Sequence, residues 1–567
     1  MTLGHNSSVI FYDCENKPIG YEEERLSEIK SDSAYPILAF TKILSQLNRE
    51  QIQGSNIFVS HWFDVFNLEE FPVKYFDVKH FNKIVSDYNL TVIPVNSSFT
   101  HHDAHAYSSL AFAENFSADI QGPVHCIVAD GFGNNQEVIS IYQKTDFDDL
   151  TPIKRVYGFE HSLGLLYQYA TSFCGMKENQ DEYKFLGYEA QIRAFISDEQ
   201  IEKLSIFAYD YSMKFMNSCL NKNTFKSDYA YNAIDYNKLC ETKQQIHEYL
   251  ETILMVMHVH EIDDSNHCDT RTRAIIGFYV QSCLEQCLLR VIKKYDMKNV
   301  FLSGGCFLNV KLNKVILDNV SGKVCVNPLA GDQGAAIGLF RKYTNCKFQF
   351  HDLCFGVRDR IELYSATKDS LALENVFIFD DEQKFTDCVS SFLDSNHIVN
   401  IMQHEMEFGP RALCNTSTLA LPTEENSMYI NMVNDRNEVM PMAPVMTENK
   451  SKDMLYIDEI NRVIGSNEYM IITHDVREHI TSARGVMHNN PLKEGFTSRP
   501  QIVKKDSNIY KILSAVEKYI CLINTSFNTH GRPILYSFES AIKDFRKQKL
   551  KDKDDRLILV ILNAIRK

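Results

Sequence analysis

Residues 124–133 read Val-His-Cys-Ile-Val-Ala-Asp130-Gly131-Phe132-Gly133. An apolar run closes on an Asp-Gly turn, the pattern of a strand whose end lets the backbone approach a ligand. Residues 138–143 read as the returning strand. Apolar side chains at helical spacing over residues 272–294 (Ile275, Ile276, Phe278, Tyr279, Cys283, Cys287, Leu288, Val291) predict a helix. Asn299-Val-Phe-Leu-Ser303 then reads as a strand running into Gly304-Gly305. Asn327-Pro-Leu-Ala-Gly331-Asp332-Gln-Gly334-Ala-Ala-Ile-Gly338 reads as a second such unit. Upstream, residues 7–30 read as a short strand, a turn at 16–18 and a Glu-rich segment. About the first 340 residues therefore alternate β and α elements with three Gly/Asp turns at strand ends, where open α/β sheets bind ligands. The remainder reads as a different region. It has an irregular connector over 343–390, strands at Val376–Phe379, Ile398–Met402 and 520–524, and a charged helix followed by a strand at Leu557–Leu562.

The chain has 567 residues, enough for two or more domains. Hydrophobic residues make up 44% and charged residues 23%, which excludes wholesale disorder and fibrous classes. A net charge of −15 repels polyanions and disfavours long nucleic acids as partners. A small anion in a local basic pocket remains compatible with it. The 15 Cys are scattered singly, without a CxxC, which fits a reducing compartment. Cys283 and Cys287 lie one helical turn apart and read as core. No basic-then-apolar N-terminal segment and no run of 18 apolar residues is seen, so the expectation is a soluble, cytoplasmic protein without a membrane partner.

Four motifs carry chemistry. In His101-His102-Asp103-Ala104-His105, the first and last His share a helix face at i, i+4, a spacing that lets two imidazoles grip one metal ion. Alone, such a pair is more often a surface cluster. Asp130-Gly131 and Asp332-x-Gly334 place a carboxylate beside free backbone N–H groups, which suits phosphates or a cation that phosphates bind. Each alone is more often an ordinary turn, and Ser303-Gly304-Gly305 is equally weak by itself. In residues 406–413 (Met-Glu-Phe-Gly-Pro-Arg-Ala-Leu), Pro410 excludes a central strand or helix interior, and Arg411 on that rigid backbone suits a bidentate grip on phosphate or carboxylate. Asn524-Thr525-Ser526-Phe527-Asn528 reads as a strand ending in small polar side chains that bind phosphate or cap a turn. His5 is expected at the start of the first strand, with a role set by its context.

The order of these motifs resembles the NodU/CmcH/TobZ family of carbamoyltransferases over essentially the whole chain. The resemblance rests on Gly4-His5, residues 23–27 (Glu-Glu-Arg-Leu-Ser), His101–His105, Asp130-Gly131-x-Gly133, Ser162-Leu163-Gly164 and Glu182-Tyr183-Lys184. It continues through Ser303-Gly304-Gly305, Asn309, residues 332–338, 406–413, 524–528 and Gly531. It implies an α/β protein in two parts. Residues 1–345 would be a TsaD-like domain of the actin/sugar-kinase (ASKHA) fold, and 346–567 a connector and YrdC-like domain. The second part would form carbamoyl-adenylate from carbamoyl phosphate and ATP with Mg²⁺, releasing pyrophosphate. The first would pass the carbamoyl group to a hydroxyl of a small molecule such as a sugar, a nucleoside or nucleotide, or a secondary metabolite. His101, His105, Asp130 and Asp332 would hold Fe²⁺ or another divalent metal. His5 would be the catalytic base, and Arg411 a catalytic and binding residue. Gly131, Gly133, Lys184, Gly304, Gly305, Asn309, Gly334, Arg436, Arg499, Ser526 and Asn528 would line the nucleotide and anion sites. A homodimer is compatible with the resemblance.

The second part departs from the family pattern. Asn434 stands where a Lys is usual, Met440 where an Arg precedes Pro441, Thr416 within the altered run Cys414-Asn415-Thr416-Ser417, and His530 where a basic Arg is common. In the first part, the Gly-Leu-Ala run is altered to Gly187-Tyr188-Glu189-Ala190. These departures keep two other readings open. One is a same-fold enzyme with an altered donor or an impaired activation half. The other is a nucleotide- and metal-binding partner subunit. A generic sugar-kinase-fold phosphotransferase stays in view because fold does not fix reaction.

Overall fold

A computed structural model describes residues 1–13, 17–59, 73–74, 76–93, 95, 98–116, 120–144, 149–221, 235–258, 269–344, 346, 352–359, 374–436, 442–490 and 494–563. An antiparallel hairpin, β1 (Ser8–Tyr12) and β2 (Pro18–Glu22), opens the chain. Pro18 pairs with Tyr12 inside the hairpin, so it is a strand residue rather than part of the expected turn. Asn16 lies outside the described residues. Helix α1 (His101–Glu114) follows, capped by Thr100, whose Oγ1 accepts from Asp103 N while Asp103 answers through Thr100 N.

Next come β3 (Val124–Ala129), β4 (Glu137–Lys144), β5 (Leu150–Tyr157), α2 (Leu163–Phe173), α3 (Glu182–Tyr188), α4 (Thr270–Lys294), β6 (Asn299–Ser303), α5 (Val310–Asn319), β7 (Val324–Val326) and α6 (Ala335–Thr344). The strand order of this sheet is β5-β4-β3-β6-β7. The first three strands run antiparallel, and β6 and β7 run parallel to β3. Burial on both faces explains the apolar character of β3, interrupted only by His125: Val124, Cys126 and Val128 pack toward α1 and α6, while Ile127 and Ala129 pack toward the cluster built on α4. Helix α4 is long and apolar enough to cross a membrane, but 72% of its most apolar window is buried inside the molecule. Its Cys283 and Cys287 are core residues, and the thirteen described cysteines are all free.

The second sheet contains β8 (Val376–Phe379), β9 (Ile398–Met402), β10 (Thr416–Ala420), β11 (Ala443–Thr447), β12 (Gln501–Val503), β13 (Leu522–Ser526) and β14 (Leu557–Leu562). They are ordered β8-β14-β9-β10-β13-β11-β12. Along β14, Leu557, Leu559 and Ile561 face one core, while Ile558, Val560 and Leu562 face the other. Helix α7 (Glu382–Asp394) gives order to the end of the stretch expected to be irregular, and α8 (Phe538–Lys549) is the expected C-terminal charged helix.

The second half of the chain contributes residues to the cores of the first. Met406, Ala412, Ile534 and Tyr536 share a core with the N-terminal hairpin. Likewise, Val463, Ile471 and Ile472 sit in the core of the first sheet, and Val463 bridges Val324 on its edge.

Candidate metal centre and anion cluster

The parallel neighbours β3 and β6 end side by side, with Val128 opposite Ser303. That register sets Asp130-Gly131 beside Gly304-Gly305. Asp130 Oδ1 accepts from the backbone N–H of Gly131 (2.9 Å) and of Gly305 (3.1 Å), which leaves Oδ2 directed at two histidines. Gly304 has φ +96°, and a Cβ there would lie 2.3 Å from Ala129 O, so only Gly allows this approach. A Cβ on Gly164, in the first turn of α2, would lie 2.7 Å from Gly131 N. A Cβ on Gly131 itself would meet nothing within 4 Å, so the turn is open on that side.

His101 and His105 project from the first turns of α1, and Asp332 precedes α6. His101 Nε2 lies 3.2 Å from Asp130 Oδ2, 3.3 Å from Asp332 Oδ1 and 3.0 Å from His105 Nε2. His105 Nε2 lies 3.4 and 3.5 Å from the same two oxygens. Four donors each about 2.1 Å from one ion are separated by about 3.4 Å in a tetrahedron and about 3.0 Å across an octahedral edge. The spacing here matches a metal-sized hole, and the mixed N/O set suits several divalent ions. Burial alone would lower the pKa of His101, but the carboxylates of Asp332 and Asp130 raise it to about 10. His105 also moves up against burial and the neighbouring His101. Burial would raise the two carboxyls; instead the histidines hold both below the usual carboxylate range. His102 turns away, with Nδ1 2.9 Å from Ser140 Oγ. Gly133 packs against His101 and His102, and Gly334 against Leu329 and Ser108.

Helix packing sets the last ligand. A Cβ on Gly338 would lie 1.7 Å from Ala104 O, so α1 and α6 touch backbone to backbone between the two ligand-bearing segments. The sequence reading missed Gly338 and Gly164 as site-forming residues. The available signal was Gly inside a helix pattern, which costs stability unless packing requires it.

His5 lies in the turn before β1, not at a strand start. Its Nε2 is buried with no hydrogen-bond partner among the described residues. It lies near enough to Glu182 to favour that residue's charged form, and the adjacent Asn6 Nδ2 is 3.4 Å from Gln333 Oε1, beside Asp332.

A second cluster lies where the two sheet systems meet. Arg411, Arg436 and Arg499 are half-buried and have no carboxylate partner among the described residues. Burial lowers all three guanidinium pKa values, that of Arg411 to about 10 and that of Arg499 further, with Arg411 adding to the Arg499 shift. Arg411 Nη2 donates to Leu308 O (3.3 Å), and Arg436 Nη1 to Thr525 Oγ1 (3.1 Å). Tyr183 senses Lys184, Arg436 and Arg411 together. Lys30 stands 4.8 Å from the Tyr183 ring centre.

The loop carrying Arg411 is pinned from both sides. Glu407 Oε1 accepts from the N–H groups of Leu413, Asn415 and Thr416 (2.8–2.9 Å), and Glu22 Oε2 from that of Gly409 (2.9 Å). Sequence reasoning gave no role to Glu407, although it lies within the 406–413 motif, or to Glu22, because each acts by accepting backbone N–H groups that only the fold brings to it. Asn309 caps α5 through Leu312 N and bonds Gln281, so its side chain is committed within the first sheet system. Ser526 Oγ donates to Asn528 Oδ1 (2.6 Å) and Asn528 Nδ2 to Arg532 O (2.6 Å), a turn rather than an open anion grip.

The altered positions have clear environments. Asn434 is fully buried and its Oδ1 accepts from Gln548 (2.6 Å). Thr416 accepts from Arg358. Arg532 is bonded to Asp544 and Glu28, so it does not replace a missing cation. Met440 and Pro441 lie outside the described residues.

Residues 74–339 match the family described as carbamoyltransferase N-terminus, and 390–559 that described as carbamoyltransferase C-terminus. An uncharacterised protein of Methanocaldococcus jannaschii is 26% identical over 96% of this chain and 95% of its own length. Nodulation protein NolO of Bradyrhizobium diazoefficiens is 26% identical over 49% of this chain and 52% of its own. Nodulation protein U of Azorhizobium caulinodans is 27% identical over 43% and 42%.

Proposed function

The chain belongs to the carbamoyltransferase family, and from that premise we propose that it is an ATP-dependent O-carbamoyltransferase working through carbamoyl-adenylate. The observation that carries the reading is the trio Arg411, Arg436 and Arg499. Half-buried cations without acid partners cost free energy unless an anion completes them. ATP and carbamoyl phosphate, with Mg²⁺, are the anions that complete them in this reading. Lys184 joins from the first sheet system, and Ser526 and Asn528 shape the adjoining turn. The second sheet system acts as the YrdC-like activating part. The first acts as the TsaD-like transfer part, and its strand order, three antiparallel strands followed by two parallel ones, supports an actin/sugar-kinase relationship.

His101, His105, Asp130 and Asp332 would hold a divalent metal such as Fe²⁺, which supplies Lewis-acid polarisation of a carbamoyl or phosphate oxygen. Gly131, open to approach, and Gly304-Gly305 let the adenylate lie against the backbone at the strand ends. Gly133, Gly334 and Asn309 hold the surrounding turns. His5, with its free Nε2, takes the proton from the acceptor hydroxyl, a small-molecule alcohol. General-base help of this kind is worth about 10²–10⁴-fold.

The experiment is ATP–pyrophosphate exchange on purified protein with Mg²⁺, with and without carbamoyl phosphate. Exchange that requires carbamoyl phosphate and vanishes in Arg411→Ala supports the reading. Absence of exchange in protein that binds ATP overturns it. The neutral Asn434, bonded to Gln548, and the neutralised Arg532 favour a second reading, the same fold with an altered donor. Exchange driven by another carboxylate or acyl phosphate, and not by carbamoyl phosphate, would select it.

A further inference from the structure

One contact crosses between the sheet systems at the anion cluster without an acid in the middle. Lys184 Nζ, from α3, lies 2.7 Å from His530 Nε2, in the turn between β13 and α8. The ammonium also pairs with Asp181 Oδ1 at 2.9 Å. An ammonium has three N–H donors. Two are committed, to Asp181 and His530, and the third has no partner among the described residues. Two fixed donors set the direction of the third. His530 is itself anchored, because its backbone N–H donates to Asn434 O at 2.8 Å.

We propose that His530 is a positioning residue: as a neutral imidazole it accepts from Lys184 and aims the remaining ammonium donor at the anionic substrate. The proposal rests on the reading above that this cluster binds ATP or carbamoyl phosphate. The groups facing His530 are Lys184, Lys30, Arg436 and Asp181. Three are cations, and together with burial they outweigh Asp181 and keep the imidazole uncharged at neutral pH. Protonation would remove the acceptor and set two cations face to face. The contact is therefore present above the lowered pKa of His530 and is lost as pH falls through it, on the acid side of the ordinary imidazole range.

Two measurements test this. The first is KM for ATP in pyrophosphate exchange from pH 5 to 8. His530→Ala should raise KM about five- to tenfold at pH 7.5 with kcat largely kept, the size of one misdirected charge-assisted bond. His530→Gln, which keeps a neutral acceptor, should retain most of the affinity. The wild-type KM should rise on the acid side, while that of His530→Gln stays flat. The second needs no activity: the rate at which acetic anhydride acylates Lys184, read by peptide mass spectrometry on the intact chain. Lys184 should react several-fold faster in His530→Ala than in wild type, with an unchanged thermal midpoint. Equal acylation rates in the two proteins overturn the proposal, as does a His530→Gln enzyme indistinguishable from His530→Ala. If no protein shows exchange, the function reading fails by itself, and the acylation rates still decide the role of His530.

Discussion

Gly338→Ala is the sharpest test of how the metal centre is built. The added Cβ would stand 1.7 Å from Ala104 O and 2.8 Å from Ser108 N, both backbone atoms of α1. Backbone in a helix cannot rotate aside as a side chain does. Contacts to Cβ under 3.0 Å are essentially never seen, so α6 must retreat from α1 by at least about 1.3 Å. Asp332 leads directly into α6 and moves with it, while His101 and His105 stay on α1. Their distances to Asp332 Oδ1, now 3.3 and 3.5 Å, would grow to about 4.6–4.8 Å. Two donors bound to one ion at about 2.1 Å cannot be more than about 4.2 Å apart. Asp332 would leave the coordination sphere. Losing a direct ligand exceeds the 10- to 100-fold typical of an outer-shell loss, so affinity for Zn²⁺ or Fe²⁺ should fall by more than about 100-fold. Overpacking itself costs about 1–3 kcal/mol. The assay is calorimetric titration of metal-free protein with Zn²⁺, alongside thermal unfolding. Gly54→Ala is the control: φ is +78° there and nothing lies within 4 Å, so it strains the backbone without touching the site. A folded Gly338→Ala protein binding metal within twofold of wild type would refute the claim that this helix contact sets Asp332.

Four further outcomes follow from the geometry of the two sites. Because His101 titrates near 10 in the metal-free protein, metal binding at pH 7 should release at least one proton; calorimetry in buffers of different ionisation enthalpy measures it, and no release would contradict the cluster. The same raised pKa stabilises metal-free protein fully below about pH 6.5, and that contribution should be lost as pH rises toward 10. Chemical denaturation at pH 7 and 9.5 reads the loss, which should disappear when metal is bound. Glu407→Ala removes three backbone hydrogen bonds, so it should destabilise the chain by about 2–4 kcal/mol and abolish carbamoyl-phosphate-dependent exchange, as seen by denaturation and exchange assays. Arg499→Met should do the opposite to stability, leaving ligand-free protein as stable or about 1 kcal/mol more stable while ATP binding falls at least tenfold. A large fall in the thermal midpoint would show that Arg499 is structural.

The sequence was most legible where one local pattern controls the outcome. The apolar run at 124–129 read as a strand because both of its faces are covered, and the His101/His105 spacing read as a shared face because the helix is real. The four metal donors come from three distant segments. Only the order of the motifs suggested that they meet; their separations of 3.0–3.5 Å depend on strand register and on Gly338. The anchors of the Arg411 loop were invisible for a related reason. Glu407 and Glu22 act by accepting backbone N–H groups, and any Glu in a sequence can do that once a fold supplies the donors. Arg532 shows the reverse. It stands two residues from the altered His530, but Asp544 and Glu28 neutralise it from segments 12 and 504 residues away.

The shared cores bear on how such a chain could hand on a labile intermediate. Val463, Ile471 and Ile472 bury themselves in the first sheet system, while the N-terminal hairpin shares its core with Met406, Ala412, Ile534 and Tyr536. The cores of the first sheet and of the hairpin are closed in part by apolar residues from the second half of the chain, and burying each such side chain is worth about 1.5–3 kcal/mol. The same crossings carry chemistry. Arg25 pairs with Glu22 at the end of the hairpin, and Glu22 in turn holds the Arg411 loop by Gly409 N. Arg411 reaches back to Leu308, next to Asn309 and a few residues beyond the Gly304-Gly305 turn. A group activated among Arg411, Arg436 and Arg499 would thus be bounded by first-system backbone on one side from the moment it formed. Two activities joined by a plain linker would have to release a reactive anhydride to water between steps. Under the proposed function, second-half residues buried in the first-half cores and the Arg411–Leu308 contact would keep an activated group beside the part that transfers it.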